Sequence, residues 1–431
     1  MSDLVPDGWN FDFLPAFIEI NPSFDKTLKL TDNTDVSFIK MEDVSNGAVV
    51  KNLRKRKYSE VKKGFTKFIN HDVLVAKITP CFENGKGGHV KNLTNGVGFG
   101  STEFHVFRAK KNSDSSYFYH FSNYPTFRLQ AEASMCGTGG QRRVQTDFFR
   151  TFKTTYPPLP EQQKIAAILS SVDEVIEKTQ AQINKLKDLK TGMMQELLSP
   201  REDQAANINN PQGDSKNGLH HTEFKDSPLG RIPAGWEVLP LDQVSKVIDC
   251  KHATPKYFND GFAVVKPGNI KEGNLDLTGC AMTNKDGFEN LNENHKPVVG
   301  DTIYSRNQTY GIGAYVFKEM EFAIGQDVCI IHPKTCLPKY LYYTVNAPIV
   351  KHQVELLAAG STFKRINLGA IRQLLIPVPS QVEQKIIENT LVSIDEKANS
   401  ITKKLTSLKS IKKALMQDLL TGKVRVQVDA A

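Results

Sequence analysis

Long apolar runs are missing from these 431 residues. No stretch reaches the ~18 apolar residues that a membrane-spanning helix needs, so none is expected. Met1 to Asn10 has neither a basic segment nor an apolar core, and no signal peptide is expected. Cysteine is scarce. Cys81, Cys136, Cys250, Cys280, Cys329 and Cys336 are scattered, with no Cys-x-x-Cys. That pattern suits free thiols and a cytoplasmic setting. Cys329, His332 and Cys336 lie close in sequence, but their spacing matches no common zinc pattern, so metal ligands are not expected.

Catalytic signatures are also wanting. No GxxxxGK[ST] loop is present to cradle a phosphate. Asn84-Gly85-Lys86-Gly87-Gly88 reads as a turn carrying a lysine, because the first Gly and the final Ser/Thr are not in place. Asn95 to Gly100 is a glycine cluster without the strand–helix setting of a dinucleotide site. Asn21-Pro22-Ser23-Phe24 resembles the Asn-Pro-Pro-Tyr type of motif in which amino-methyltransferases hold a flipped base. Only twenty residues precede it, too few for a cofactor-binding sheet, so it reads as a turn. A binding protein is expected rather than an enzyme, with no catalytic residues and no cofactor in this chain.

What the chain does have is an internal repeat. Pro6-Asp7-Gly8-Trp9 returns as Pro233-Ala234-Gly235-Trp236. Ile39-Lys40 and Asp43-Val44 return as Val265-Lys266 and Asn269-Ile270. Asp72 to Lys77 returns as Asp301 to Arg306. Tyr117, Tyr119 and Pro125 return as Tyr340, Tyr342 and Pro348. Arg143-Val144 returns as Arg365-Ile366, and Pro158-Leu159-Pro160 as Pro377-Val378-Pro379. The shared order, at offsets drifting only between 229 and 219, implies two diverged copies of one unit. Each copy opens with a mixed domain. Runs such as Asp72 to Ile78 and Gln326 to Ile331 read as strands, and Ser116 to Met135 and Lys339 to Ala358 as helices.

After Pro160, and again after Pro379, no proline follows for about forty residues. Alternate steps of four and three from Ile165 give Leu169, Val172, Ile176, Thr179, Ile183, Leu186, Lys190, Met193 and Leu197. The same walk from Ile387 gives Leu391, Ile394, Ala398, Ile401, Leu405, Leu408, Lys412, Leu415 and Leu419. Eight and nine of the ten positions are apolar, and the lysine falls at the same step in both. A 3.5-residue period held this long predicts coiled-coil helices of roughly 60 Å, with Leu169, Ile176, Ile183, Leu391, Ile401 and Leu405 in the seam. Each is the natural partner of the other. Antiparallel pairing about a pseudo-twofold and parallel pairing are both open at this point. The fold class is α+β: two mixed α/β domains joined by two long helices. The expected boundaries are 1–157 for the first domain, 158–199 for its helix and 200–226 for a Gln/Asn/Asp/Gly-rich linker. The second domain spans 227–376, its helix 377–422 and a C-terminal tail 423–431.

The net charge of +8 is concentrated. Lys51, Arg54, Lys55, Arg56, Lys57, Lys62, Lys63 and Lys67 fall within seventeen positions, against Glu60 alone, with Tyr58 and Phe65 interleaved. Such a run suits phosphate contact. Gly137 to Arg143 and Gly360 to Arg365 repeat a small-residue loop ending in cations, which lets a backbone approach DNA closely. Arg306 and Gln308 stand just past a strand, where an amide suits adenine readout. With Lys77 at a strand end and Lys86 in a glycine-rich turn added, the candidate nucleic-acid contacts are Arg54, Lys55, Arg56, Lys57, Lys77, Lys86, Arg142 and Arg143, then Arg306, Gln308, Lys364 and Arg365.

Three segments then carry a resemblance: Asp72 to Lys86, Pro158-Leu-Pro-Glu-Gln-Gln-Lys-Ile165, and Ser227-Pro-Leu-Gly-Arg-Ile-Pro-Ala-Gly-Trp236. Together they resemble the DNA-specificity subunits of type I restriction–modification systems. The second helix entry, Pro379-Ser-Gln-Val-Glu-Gln-Lys-Ile386, is looser. The resemblance implies two target recognition domains that each read one half of a split sequence in double-stranded DNA. It implies an antiparallel coiled coil that sets the gap and docks two methyltransferase (modification) subunits. These would supply S-adenosylmethionine and adenine-N6 chemistry, and a restriction (motor-nuclease) subunit would join for cleavage. The competing expectation is an adaptor or scaffold with a coiled coil and no DNA. It accounts for the heptads but not for the basic run.

Overall fold

The computed structural model describes residues 5–24, 28–46, 50, 52–138, 140–198, 221–358 and 364–428. Lys51, Gly139, positions 360–363, 200–220 of the expected linker and 429–431 of the expected tail lie outside the described residues. The chain divides into two compact units, 1–180 with 403–431, and 181–402. Each therefore combines a globular domain with one half of each long helix.

The first unit has two four-stranded sheets. One runs Ile18–Ile20, Phe104–Ala109, Val73–Ala76, Gly87–His89, antiparallel throughout. The other runs Arg54–Lys57, Asp35–Ile39, Val97–Gly100, Thr66–Ile69, and its central pair is parallel. Asn10–Phe13 and Lys153–Tyr156 form a separate ribbon. The second unit repeats this plan. Ser245–Asp249, Val328–Pro333, Thr302–Ser305 and Gly313–Tyr315 take the places of the first sheet, extended by Gly273–Asn274. Phe262–Val265 and Phe322–Ile324 form the parallel pair. Glu237–Pro240 and Leu375–Val378 form the ribbon. The strands Val73–Ala76 and Val97–Gly100 are buried along their whole length, which explains their unbroken apolar reading.

Each expected domain helix is two helices. Ser115–Ser122 and Pro125–Ala133 replace one, and Pro338–Val345 and Pro348–Leu357 replace the other. The break is local chemistry. Proline clashes with a helical residue before it, so Tyr124 and Ala347 are extended at ψ 124° and 150°, and Pro125 and Pro348 begin new helices.

The long helices are Leu159–Leu198 and Gln381–Leu420, forty residues each. None of the twenty positions on the heptad walks is exposed. In the first unit Ile165 and Leu169 pack in one core with Met416, Leu419 and Leu420. Glu161 meets Arg425 and Asp173 meets Lys412 there. In the second unit Ile387 and Leu391 share a core with Met194, Leu197 and Leu198, and Lys190 meets Asp395 at 2.8 Å. Residue numbers rise along one helix as they fall along the other, so the pairing is antiparallel within each unit.

The helix entries explain the repeated Trp and Glu-Gln residues. Trp9 Nε1 donates to Glu161 Oε2 at 3.0 Å, and Trp236 Nε1 to Glu383 Oε1 at 3.2 Å. Gln162 accepts from the Asp114 N–H and donates to the Pro157 carbonyl. Gln384 does the same with Leu337 and Pro379. Each glutamine reaches a proline carbonyl five residues back, so Pro157 and Pro379 correspond, the second entry contains no inserted residue, and only its later prolines are replaced. The tail is tied down as well: Arg425 grips both oxygens of Glu161 and donates to the Asp7 carbonyl.

Seam positions differ in burial. Leu391 is fully buried, whereas Ile176 is half-buried. Leu391→Ala is expected to cost about 2–5 kcal/mol through lost transfer energy and a residual cavity. Ile176→Ala should cost clearly less. Denaturant midpoints of the two variants check this, and equal losses would contradict the packing.

Candidate nucleic-acid interface

The basic run forms the edge strand Arg54–Lys57, paired along Asp35–Ile39. Alternation puts Arg54 and Arg56 on one face, Lys55 and Lys57 on the other. Arg54 is committed to the fold. Its Nε and Nη2 donate to the buried Asp43 at 2.8–3.0 Å, and Nη2 also reaches Glu42. Burial pushes the Asp43 carboxyl up, but Arg54 and the Lys40 N–H outweigh it and hold the pKa below the usual carboxylate range. Lys57 pairs with Asp35 at 2.9 Å and Arg56 more loosely with Glu60 at 3.4 Å, both half-exposed. Lys55 is exposed on this edge.

The other first-unit candidates converge. An isolated bridge joins Ile78 to Arg143, and the Val144 N–H donates to the Lys77 carbonyl. The Thr79 N–H reaches the Arg142 carbonyl and the Ala76 N–H the Lys86 carbonyl. Lys77, Lys86, Arg142 and Arg143 thus sit together at the end of strand Val73–Ala76. Arg143 is tethered to Glu103 by three hydrogen bonds of 3.0–3.3 Å. His105 holds this loop from beneath. Burial lowers its pKa to about 4, so it is neutral near pH 7. Nε2–H donates to the Val144 carbonyl at 2.9 Å, and Nδ1 accepts from Asn21. Asn21 adopts φ +51° and also accepts the Val106 N–H, which makes its motif a structural turn.

The second unit builds the same loop with different residues. Asn307 bridges Arg365, and the Ile366 N–H donates to the Arg306 carbonyl. Arg365 is tethered to Asp327 at 2.8 Å, as Arg143 is to Glu103. Lys364 is exposed beside it. Arg306 departs from expectation. The strand end turns its side chain inward, where it is buried and Nη1 pairs with Asp249 Oδ1 at 2.5 Å. The guanidinium belongs to the domain interior and is not placed to meet a groove. Gln308 is placed as expected, past the strand, with φ +56°.

Both units also carry a cleft that sequence reading missed. It lies at the C-terminal ends of the parallel strand pair, beside a short 3-10 turn. In the first unit it encloses about 480 Å³ and is lined by Phe38, Lys40, Met41, Arg56, Phe65 and Ser101, among others. Lys86 Nζ donates to the Met41 carbonyl at its edge. In the second it encloses about 580 Å³, with Tyr257, Lys266, Asn269, Asn307, Gln308 and Gln326 in its wall. Lys40 and Lys266 are repeat partners, so the position is common while the lining differs. The matched Ile39-Lys40 and Val265-Lys266 were the available signal. Among the described residues, Cys329 and Cys336 are buried free thiols and neither joins His332 in a ligand group. No helix among the described residues is long and apolar enough to cross a membrane.

Comparison with known proteins follows this geometry. The chain is 39% identical over 165 residues to the EcoAI specificity subunit of Escherichia coli, which is 37% of this chain and 27% of that protein. It is 34% identical over 204 residues to the EcoEI specificity subunit of Escherichia coli, covering 46% of this chain and 33% of that one. This chain thus spans about a quarter to a third of those two relatives. Similarity to the MjaVIII specificity subunit of Methanocaldococcus jannaschii is 26% over 380 residues, 84% and 83% of the two chains. In fold it is similar to the crystal structure of a type I restriction–modification S subunit from M. genitalium. The TM-score is 0.54 at 15% identity, over 97% of this chain and 98% of that one. The family model described as type I restriction modification DNA specificity domain matches twice, at 6–188 and 233–410, in step with the repeat. The chain therefore belongs to the DNA specificity family of type I restriction–modification systems.

Proposed function

We propose that this chain is a non-catalytic subunit that binds double-stranded DNA and reads a split sequence, one half with each unit. The observation that carries this reading is the duplicated site: a tethered-arginine loop and a lysine-bearing cleft, both present in each unit. In the first unit Lys77, Lys86 and Arg142 join that site, and in the second Gln308, Lys364 and Arg365. The recognition domains are 1–157 and 227–376. The long helices set the unread gap and dock two methyltransferase subunits, which bring S-adenosylmethionine and adenine-N6 chemistry. A motor-nuclease subunit completes the complex in the cytoplasm.

Exchange of residues 1–157 for the matching domain of a relative is expected to change one half of the methylated sequence only. Methylated adenines mapped in cells carrying the hybrid test this. A change in both halves would overturn the two-reader model.

The basic strand should act on phosphates. Each phosphate contact contributes ~0.9 to the slope of log K against log salt. Neutralising Lys55 and Lys57, which share the face turned away from the cleft, should therefore reduce that slope by nearly two and weaken all sequences alike. Arg54→Ala should instead destabilise the first unit, because it leaves Asp43 buried without its cation. Salt titrations and thermal melts separate the two effects.

Gln308 offers a free-standing amide in the second cleft. An amide can make paired hydrogen bonds to adenine, so Gln308→Ala should lose ~1–3 kcal/mol and relax one A·T pair. An unchanged methylated motif and unchanged affinity would remove Gln308 from the site.

A further inference from the structure

The buried aspartate that opens the matched strands is neutralised differently in the two units. In the first, Asp72 is buried and Arg108 grips both its oxygens at 2.8 Å, while the Ile69 N–H donates to Oδ2. A permanent cation answers the buried charge. In the second, the strand register that pairs Val73 with Phe107 pairs Thr302 with Ile331, so Asp301 and His332 stand where Asp72 and Arg108 stand. His332 Nδ1 lies 2.7 Å from Asp301 Oδ1, and His295 Nε2 lies 3.2 Å from Oδ2. The Val298 N–H donates to the same Oδ2 at 2.9 Å.

We propose that His295, Asp301 and His332 form a binding site for a divalent transition-metal ion of the zinc type. The three ligand atoms lie within 4.8 Å of one another. Zinc holds imidazole nitrogen and carboxylate oxygen at ~2.0–2.2 Å. Ligand atoms around it then stand about 3.3 Å apart by tetrahedral geometry; the 3.2 Å between His295 and Asp301 matches that spacing, whereas the 2.7 Å between His332 and Asp301 is a hydrogen bond that must open slightly as the ion enters. Two imidazoles with one carboxylate favour zinc or its neighbours over calcium or magnesium, which prefer all-oxygen sets. Asp301 is fully buried, whereas the His332 side chain is 38% exposed, so the open position faces solvent and water can complete the set. The Val298 N–H on Asp301 supplies the outer hydrogen bond that fixes a ligand's orientation. The ion would tie the segment holding His295 to strands Thr302–Ser305 and Val328–Pro333. It would do for the second unit what the guanidinium does for the first.

The test uses the full tag-free chain, stripped with chelator and titrated with zinc sulfate by calorimetry and thermal melting. The expected result is one equivalent bound, with a rise in melting temperature that chelator reverses. His332→Arg restores the pairing of the first unit. It should fold and melt like the stripped wild type, yet no longer respond to zinc. His295→Gln, which keeps the Asp301–His332 contact, should weaken uptake by more than the ~10–100-fold that loss of an outer-sphere partner costs. It also serves should the arginine variant fail to fold. Absence of uptake by the wild type, or uptake unchanged in either folded variant, overturns the proposal.

Discussion

A lysine–aspartate pair across the helix seam fixes the register of each unit. Lys190 meets Asp395 in one, and Lys412 meets Asp173 in the other. The four residues form one interaction made twice, since Lys190 matches Lys412 and Asp173 matches Asp395 in the repeat. All four side chains are largely removed from solvent, so desolvation consumes much of the attraction and the pairs are poor sources of stability. Their value is selectivity, because an apolar seam slides easily and a buried lysine tolerates only a register that supplies a carboxylate. The domain helices converge on the same carboxylates. Tyr343 Oη donates to Asp395 at 2.8 Å, and His120 Nδ1 approaches Asp173 at 3.8 Å. In the second unit Asp395 thus sets both how the helices pair and how the domain sits against them; in the first, His120 is held by the helix residue Ser170 at 3.0 Å instead.

The tryptophan anchors extend this logic to the helix starts. Trp9 on Glu161 and Trp236 on Glu383 tie the opening turn of each domain to the first turn of its helix. A further basic side chain lies at each anchor, Arg425 gripping Glu161 in the first unit and the His221 ring, 3.3 Å from Glu383, in the second. With frame and anchors held in common, the clefts at the ends of the parallel strands are free to diverge. Their linings have done so, aromatic and cationic in one unit and rich in amides in the other. A duplicated scaffold with differing loops is what bipartite readout requires.

Much of the frame was legible in the sequence. The proline-free heptads marked the helices, and matched tryptophans, aspartates and arginines marked the repeat. The antiparallel sense was not legible from the seam, because a heptad walk satisfies either direction. Asp173 and Asp395, which decide it, lie just off that walk. The helix breaks at Pro125 and Pro348 were visible as prolines, but the helical reading ran through them. The site was half legible. Reading cations alone located Arg54, Arg143, Arg306 and Arg365 without the carboxylates that hold them: Asp43, Glu103, Asp249 and Asp327. Asp43 lies eleven residues from Arg54 and the other partners lie much farther from theirs, so only the fold brings them into range.

The tethers separate two kinds of surface cation. An arginine already held by a carboxylate has lost its rotamer freedom, so ordering it on binding costs little. The tether also occupies guanidinium donors, so such a group presents its remaining donors in a fixed direction. Arg143 and Arg365 fit that description in both units, and their place at the bridged loop orients them with the backbone. Exposed lysines such as Lys55 and Lys364 are unconstrained and suit diffuse phosphate attraction. Gln308 stands between these cases. Its left-handed backbone is a conformation that non-glycine residues rarely adopt, and the hydrogen bond from its N–H to Asn307 Oδ1 holds it there. Strain of this kind persists where the surroundings determine it and concentrates at functional positions. The side chain is thereby directed by its backbone rather than by a partner group.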